Sequence, residues 1–473
     1  MPNIELPNGG EPRGHRMLRA QQAVPVSIWQ RLANGWYYSG HGDPLKLFGT
    51  LGTNDPILPR AIAADLLSRE PPVSAVHEIG PGNFHVAKII TESVREQAHG
   101  SLQYHCYDAH ATSYAYHHHL PTEGFSFEQQ GVESFPALTC EQEAVHVLCV
   151  ELFDDTDTEH ALRHDGQEHI SCILPCMPGN VVMESRSLAV SLLAREGDFR
   201  QARALLTDTA GAGLAKQYTA DELMAMIDGM DFEGLSKVHP SFLLRLQYEN
   251  HAFPFPLEQS IGKRFEQADE LCLKYVQQVI AYFRGQLESI PDGNAIGFPV
   301  AGVKFLWEMR DHAGAHIDVF DYGYTNADLP HRDNPLSYSV FQGQLTSPVN
   351  FDLLKYAATQ CGFDARLELT EEYILRHTGL DTIPLSRLLS NAEYACDGTK
   401  ISPQELKALL KTFSSGRILG AEGRGSADDD SPLNMRITMK DAETFVALLE
   451  ERGLLKRPFD MHRASYHLSV SRR

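Results

Sequence analysis

The sequence predicts an α/β protein: an open, mostly parallel, doubly wound sheet, with a helical insertion and a small C-terminal extension. Three observations carry that prediction. A β-then-α alternation runs through SAVHEI, the turn GPGN, FHVAKIITESVREQAHG and SLQYHCYDA, which is one βαβ unit. Further apolar runs, FSF at 125–127, VHVLCVELF at 145–153 and ISCIL at 170–174, read as additional buried strands. Strand chemistry then returns in AHIDVFDYGY at 315–324, after a long stretch of helical character.

Taken in order, residues 1–22 are polar and rich in Pro, Gly and Arg, and are expected to be a mobile arm, with structure beginning near Val24. Residues 23–70 form a cap of two amphipathic segments around the glycine-rich YSGHGDPLKLFGTLGTNDP, which demands turns. Residues 71–183 supply the first part of the core. Its helix carries Val86, Ile90 and Val94 on one stripe and ends at a Gly100 cap. Residues 184–293 read as the helical insertion: Thr219 and Glu222 make a capping box, and Phe265, Ala268, Cys272, Tyr275, Val279 and Phe283 make an apolar stripe. Residues 294–375 complete the core, with a helix from Asp352 to Thr359 ending near Gly362. The extension, 376–473, holds short helices opened at Ser402 and Thr438, joined by the linker GAEGRGSADDDSP. There are no internal repeats.

Composition narrows the function. The 473 residues carry 41 Lys and Arg against 62 Asp and Glu, a formal net charge of -21, which argues against nucleic acid and anionic membrane as partners. No run of about 18 apolar residues appears and the N-terminus has neither secretion-signal nor transit-peptide pattern, so a cytoplasmic protein is expected. The 8 cysteines, at 106, 140, 149, 172, 176, 272, 361 and 396, are too sparse for a disulfide scaffold. Cys172 and Cys176 lack zinc spacing, and three consecutive residues, His117, His118 and His119, cannot face one ion, so no metal site is expected. HExxH, GxSxG and Walker motifs are absent.

The sharpest chemical signal is Glu78-Ile79-Gly80-Pro81-Gly82-Asn83, where a strand gives way to a helix. Glycines there remove the Cβ that would block a ligand, and the helix start offers free N–H groups. His85 replaces the third glycine that a pyrophosphate needs, which disfavours NAD and FAD. S-adenosyl-L-methionine has no phosphate. It needs the close turn, an acid near its ammonium group, here Glu78, and an acid for the ribose at the end of the second strand. Asp108, 26 positions after Gly82, stands there. Glu151, Asp154 and Asp155 follow the run VHVLCV at the carboxyl end of a central strand, facing any ligand held by the sheet, and Asp321 sits similarly after Val319-Phe320.

In their order and spacing WYYSGHGDPLKLFGTLG, VHEIGPGNFHVAKII, YHCYDA, CVELFDDTDTEHALRHDG, IDVFDYGY and LTSPVNFDLLKYAATQCGF resemble the MidA-type (DUF185) S-adenosylmethionine-dependent methyltransferases. That family includes the mitochondrial arginine methyltransferase that assists assembly of respiratory complex I. The resemblance runs from Trp36 to Phe363 and implies a class I methyltransferase fold, Rossmann-like, with S-adenosyl-L-methionine as cofactor. Gly80, Pro81 and Gly82 match the family's glycine turn. Asp108 matches its ribose-binding acid, which is more often Glu. Glu151, Leu152, Phe153 and Asp154 match its Asn-Glu-Leu-Phe-Asp segment, with Val150 in place of Asn. Asp321, Tyr322 and Gly323 match its Asp-Tyr-Gly, and Thr346 to Phe351 match a segment that reads Thr-Ala-His-Val-Asp-Phe. The chain departs from the family at Gly52-Thr53-Asn54 and Pro56-Ile57-Leu58-Pro59, where Gly-Asp-Phe and Thr-Ala-Pro-Glu stand, and at Phe84, where a small residue is common.

The expected reaction is methyl transfer to a nitrogen or oxygen nucleophile, with Glu78, Gly80, Pro81, Gly82 and Asp108 on the cofactor, Glu151, Asp154 and Asp321 as the catalytic acids, and Glu151 and Asp154 holding either the methionine end or a cationic acceptor. The acceptor stays open between a protein arginine, which the resemblance implies, and a small molecule enclosed by the insertion. A non-catalytic assembly factor retaining the fold is the third reading. A homodimer is compatible with all three.

Overall fold

The computed structural model describes residues 4–5, 16–40, 55, 57–70, 73–97, 102–109, 124–132, 145–185, 216–312, 314–331, 337–341, 344–384, 436–451 and 465–472. Among the described residues the core sheet has eight strands; Val349–Asn350 pairs beside its main path, which is made by β1 (Ala75–Ile79), β2 (Gln103–Asp108), β3 (Phe125–Gln129), β4 (Val145–Val150), β5 (Ala315–Tyr324), β6 (Phe363–Leu369) and β7 (Ser465–Arg472). Their order is β3-β2-β1-β4-β5-β7-β6. Only β7 runs antiparallel to its neighbours. This is the strand order of the class I methyltransferase fold.

Central strands buried on both faces read as continuous apolar runs, and β4 shows why. Val147 and Cys149 enter one core layer, while Leu148 and Val150 enter the other. The first layer is covered by α4 (Glu270–Ser289), α5 (Val300–Met309) and α6 (Phe351–Gln360). The second is covered by α2 (Leu58–Ser68), α3 (His85–Gln97) and α7 (Thr370–Thr378). Val86, Ile90 and Val94 are all buried there, as their spacing predicts.

The stretch between β4 and β5 is more than helical. Strands Thr158–His164, Gln167–Pro178, Gln247–Pro254 and Ala295–Pro299 form a second, antiparallel sheet. The ISCIL run therefore belongs to this sheet rather than to the parallel core, and the insertion at 184–293 contributes the strand Gln247–Pro254 to it. Both runs are short, and periodicity alone does not say which sheet will bury them. α1 (Val26–Gly40) packs Val26, Trp29 and Ala33 with Ile173 and Met177 of the second sheet.

Within the supposed arm 1–22, Ile4–Glu5 pairs with Gln247–Pro254, and Met17–Arg19 pairs with Gln167–Pro178. Main-chain hydrogen bonding at a sheet edge orders these residues without an apolar pattern of their own. The C-terminal extension needs the same correction. Its residues 465–472 are β7, lodged between β5 and β6 inside the core sheet.

Several local readings match the described structure. Glu222 N donates to Thr219 Oγ1 at 3.3 Å and Thr219 N donates to Glu222 Oε2 at 2.8 Å, the reciprocal capping box. α6 spans Phe351–Gln360, and the helix α8 (Met439–Glu451) starts with Asp441 N donating to Thr438 Oγ1 at 3.2 Å. Cys106, Cys149, Cys172, Cys176 and Cys272 are free and buried. The apolar stripe from 265 differs: α4 begins after Asp269, whose carboxylate accepts from Cys272 N at 2.7 Å, so Phe265 and Ala268 precede the helix. Gly100, His117 to His119, Cys140, Cys396, the helix at Ser402 and the linker at 420–432 lie outside the described residues. Among the described residues no helix is long and apolar enough to cross a membrane.

Candidate functional site

The glycine turn lies at the carboxyl end of β1. Gly80 and Gly82 take the left-handed φ values +71° and +54° that side chains resist. Gly80 N donates to Tyr107 O at 2.7 Å, tying the turn to β2, and Phe84 N donates to Pro81 O at 2.8 Å. Asn83 Oδ1 accepts from His85 N at 3.0 Å, capping the first turn of α3. Among the described residues a Cβ at Gly82 would meet nothing within 4 Å, so none of them closes this edge of the turn. A Cβ at Gly80 would stand 2.9 Å from Leu152 Cδ1. The loop after β4 thus abuts the turn after β1. Phe84, left-handed at φ 62°, is held there by edge contacts with Phe125 and Phe127 at 6.0 and 5.7 Å. Asp108, half-buried, ends β2 beside the turn.

Glu78, expected on the cofactor, lies inside a packed layer. Residues alternate faces along a strand, and Glu78 shares its face with Val76, in the layer between the sheet and α3. Its carboxyl is 1% exposed and accepts from Tyr104 OH at 2.9 Å, with Cys106 Sγ at 3.8 Å. Burial pushes its pKa up to about 7, so ionisation is opposed in the folded chain. An acid raised in this way binds its proton more tightly folded than unfolded, so its contribution to stability falls as pH rises from the unfolded value toward 7. Glu78→Gln keeps an acceptor for Tyr104 and removes that loss. Thermal melts should show the variant gaining on the parent protein between pH 6 and pH 8, with cofactor affinity unchanged; a matched pH profile contradicts this account.

Glu151, Asp154 and Asp321 come together at the carboxyl ends of β4 and β5. Asp321 is fully buried: Oδ2 accepts from Phe153 N at 2.8 Å and Asp154 N at 3.2 Å, and Oδ1 accepts from Tyr322 N at 2.7 Å. Asp321 therefore braces the loop that carries the other two acids. Glu151 is left-handed at φ 49°, with its N–H donating to Phe320 O at 2.8 Å. Burial, followed by the neighbouring Asp321, Asp155 and Glu151 charges, raises Asp154 well above the usual carboxylate range; burial and the Glu151 charge do the same to Asp321. Among the described residues Asp154 Oδ1 is buried with no hydrogen-bond partner. A raised, closely coupled acid pair with an unsatisfied acceptor can hold a proton and receive a donor.

Sequence reasoning did not single out the supports. Gln30 Nε2 donates to Asp154 O at 3.0 Å, and Asn34 Nδ2 to Asp155 O at 2.9 Å. Asn34 also exchanges hydrogen bonds with Leu345, both at 2.9 Å. Polar Gln30 and Asn34, four apart among the buried Val26, Trp29 and Ala33 of α1, were the available signal. Ser347 N donates to Asp154 O at 2.7 Å, and Val349–Asn350 pairs with the end of β5. A Cβ at Gly323 would stand 2.2 Å from Val349 O, which explains glycine after Asp321-Tyr322. The segments matching the family's Asp-Tyr-Gly and Thr-Ala-His-Val-Asp-Phe are thus in contact. The altered 52–59 segment is described only at Asp55 and from Ile57 onward.

On the α2 side of the sheet, His146, His316 and Asp318 gather with geometry open to a metal ion. Arg69 already lies 3.1 Å from Asp318 Oδ2, and His467 bridges Asp318 Oδ1 and Glu368 Oε1 at 2.8 and 2.9 Å. Burial lowers the basicity of His467, but the two carboxylates outweigh it and keep the ring's pKa raised. A divalent cation would meet these resident positive charges, so the cluster reads as a buried ionic brace across the sheet.

No protein-family model and no curated protein matches the chain. Among solved structures, it is similar to a COG1565 superfamily member from Burkholderia thailandensis bound to S-adenosyl-homocysteine, at 13% identity over 95% of this chain and 88% of that one, with a TM-score of 0.43. A native structure of a COG1565 superfamily protein from the same organism aligns at 13% identity over 95% and 87% of the two chains, with a TM-score of 0.45. At that distance the fold rests on this chain's own strand order, and the site on its own residues.

Proposed function

We propose that the chain is an S-adenosyl-L-methionine-dependent methyltransferase acting on a nitrogen or oxygen nucleophile, with a cationic nitrogen such as a protein arginine guanidinium as the first candidate. The observation that carries this reading is the crevice in which the open edge at Gly82, Leu152 against Gly80, and the acids Glu151, Asp154 and Asp321 share one end of the core sheet. In such sheets ligands bind outside the carboxyl ends of the strands.

The residues fit the cofactor. Gly80, Pro81 and Gly82 would give it close backbone approach, and Asp108, the last residue of β2, would accept from the ribose hydroxyls. Bound there, S-adenosyl-L-methionine supplies an electrophilic methyl group on a sulfonium. The chain's contribution is orientation of the nucleophile in line with the breaking bond, in a site preset for a cation that loses its charge. Glu151 holds the ammonium end of the methionine or a cationic acceptor. Asp154, in its ionised form, takes the proton that leaves the nucleophile, and Asp321, whose oxygens accept from three backbone N–H groups, holds the loop that carries it.

Calorimetry with S-adenosyl-L-methionine and S-adenosyl-homocysteine tests the reading directly. Saturable binding is expected to the intact chain, and none to a scaffold whose pocket has decayed. Asp108→Ala should weaken binding by about 1–3 kcal/mol, the cost of losing a charge-assisted partner. An Asp108→Ala variant that binds normally but turns over slowly places this acid on the acceptor instead.

A further inference from the structure

We infer that Arg436, carried by the long segment between β6 and β7, is a positioning residue that latches the cofactor turn through Asp55 and His85. This rests on the proposed cofactor site, which it extends to a part of the chain no motif marked. Three links make the latch.

The first is an ion pair. Arg436 is 1% exposed; its Nε donates to Asp55 Oδ1 and Oδ2 at 2.9 and 2.8 Å, and Nη2 to Oδ2 at 2.5 Å. Nη1 reaches Thr382 O and Oγ1 at 3.4 and 3.3 Å, on the strand Thr382–Pro384 that pairs with Arg436–Thr438. Burial disfavours the guanidinium charge, but Asp55 outweighs it and the side chain stays cationic. A planar fork on a carboxylate fixes direction as well as distance.

The second link is the cap of α2. Asp55 Oδ1 also accepts from Ile57 N and Leu58 N at 2.8 and 3.1 Å, so Arg436 and the helix start share one carboxylate. The third reaches the turn. Asp55 O lies 3.0 Å from His85 Nε2, and a carbonyl can only accept, so the ring proton sits on Nε2. His85 is the first residue of α3, and its own N–H closes the cap on Asn83 directly after Gly82. A guanidinium 354 positions further along the chain than Gly82 therefore sets the pose of the ring that follows the glycine turn.

Hydrogen exchange of the ligand-free full chain reads the latch without any cofactor, and calorimetry with S-adenosyl-homocysteine reads its consequence. In Arg436→Gln, measured where circular dichroism shows native structure, amides of residues 57–61 and 83–88 should exchange about 10-fold faster and the Kd rise about 10-fold. His85→Phe leaves the ion pair intact and should reproduce the exchange at 83–88 and the Kd change, and the double variant should be no worse than the poorer single one. Arg436→Lys keeps the charge beside Asp55 and should recover part of the protection; with His85→Phe it carries the test if Arg436→Gln fails to fold.

A purely structural Arg436 would lower the melting temperature yet leave exchange at 83–88 and the Kd of the folded variant at their original values, and that result overturns the inference. So does additivity of the two substitutions. A parent protein that binds no S-adenosyl-homocysteine would defeat the proposed function while the exchange experiment still decides the latch.

Discussion

Gly82→Val should abolish cofactor binding, with at least a 100-fold rise in Kd, while the chain still folds. No described residue lies within 4 Å of its Cβ position, so the branched side chain fits beside the described residues and occupies the space the ligand needs. The substitution also forces a β-branched residue to φ +54°, a strain of about 1–3 kcal/mol that lowers the melting temperature. Gly166→Val separates the two effects. Gly166 is left-handed at φ +74° with an equally open Cβ, but it lies in the hairpin turn of the second sheet. It should show similar strain and ordinary cofactor affinity. Calorimetry giving the same Kd for Gly82→Val and the parent protein would remove the site from this turn.

Asp321→Ala should be the most destabilising change at the crevice, by about 2–4 kcal/mol in denaturant or thermal unfolding. It strips three buried N–H groups, those of Phe153, Asp154 and Tyr322, of their acceptor. Asp321→Asn keeps an oxygen for part of that set and behaves differently with pH. Because the folded carboxyl binds its proton more tightly than the unfolded one, the native state holds more protons above the unfolded pKa, and stability falls as pH rises. Asn has no proton to lose, so the Asp321→Asn protein should lose less melting temperature between pH 5 and pH 8 than the parent protein. Parallel curves would mean that Asp321 is ionised throughout and serves only as a brace.

The halves of the fold differ in how legible they were. β1, α3, β2 and β4 declare themselves because their apolar residues repeat at strand or helix periods beside a glycine turn, and the acids at the strand ends could be named from that alone. The second sheet was harder, because ISCIL buries itself equally well in a parallel or an antiparallel neighbour, and partner choice is a tertiary property. β7 did leave a trace: Tyr466, Leu468 and Val470 alternate with His467 and Ser469, but the run is short and ends in arginine. The burial of Glu78 was not legible because a motif fixes position along the chain and not the face of the sheet. Arg436 was invisible for the opposite reason, since a lone arginine says nothing until Asp55 is seen beside it.

β7 also has a meaning for biosynthesis. It threads between β5 and β6, so a ribosome that has already delivered both of those strands has delivered two strands that share no partner until β7 follows. During the interval before residues 465–472 emerge, β5 presents an unzipped border, and a nascent chain in that condition is exposed to mispairing with other copies. Completion of the sheet, and with it the ionic contacts of His467 to Asp318 and Glu368, waits until β7 has followed β5 and β6.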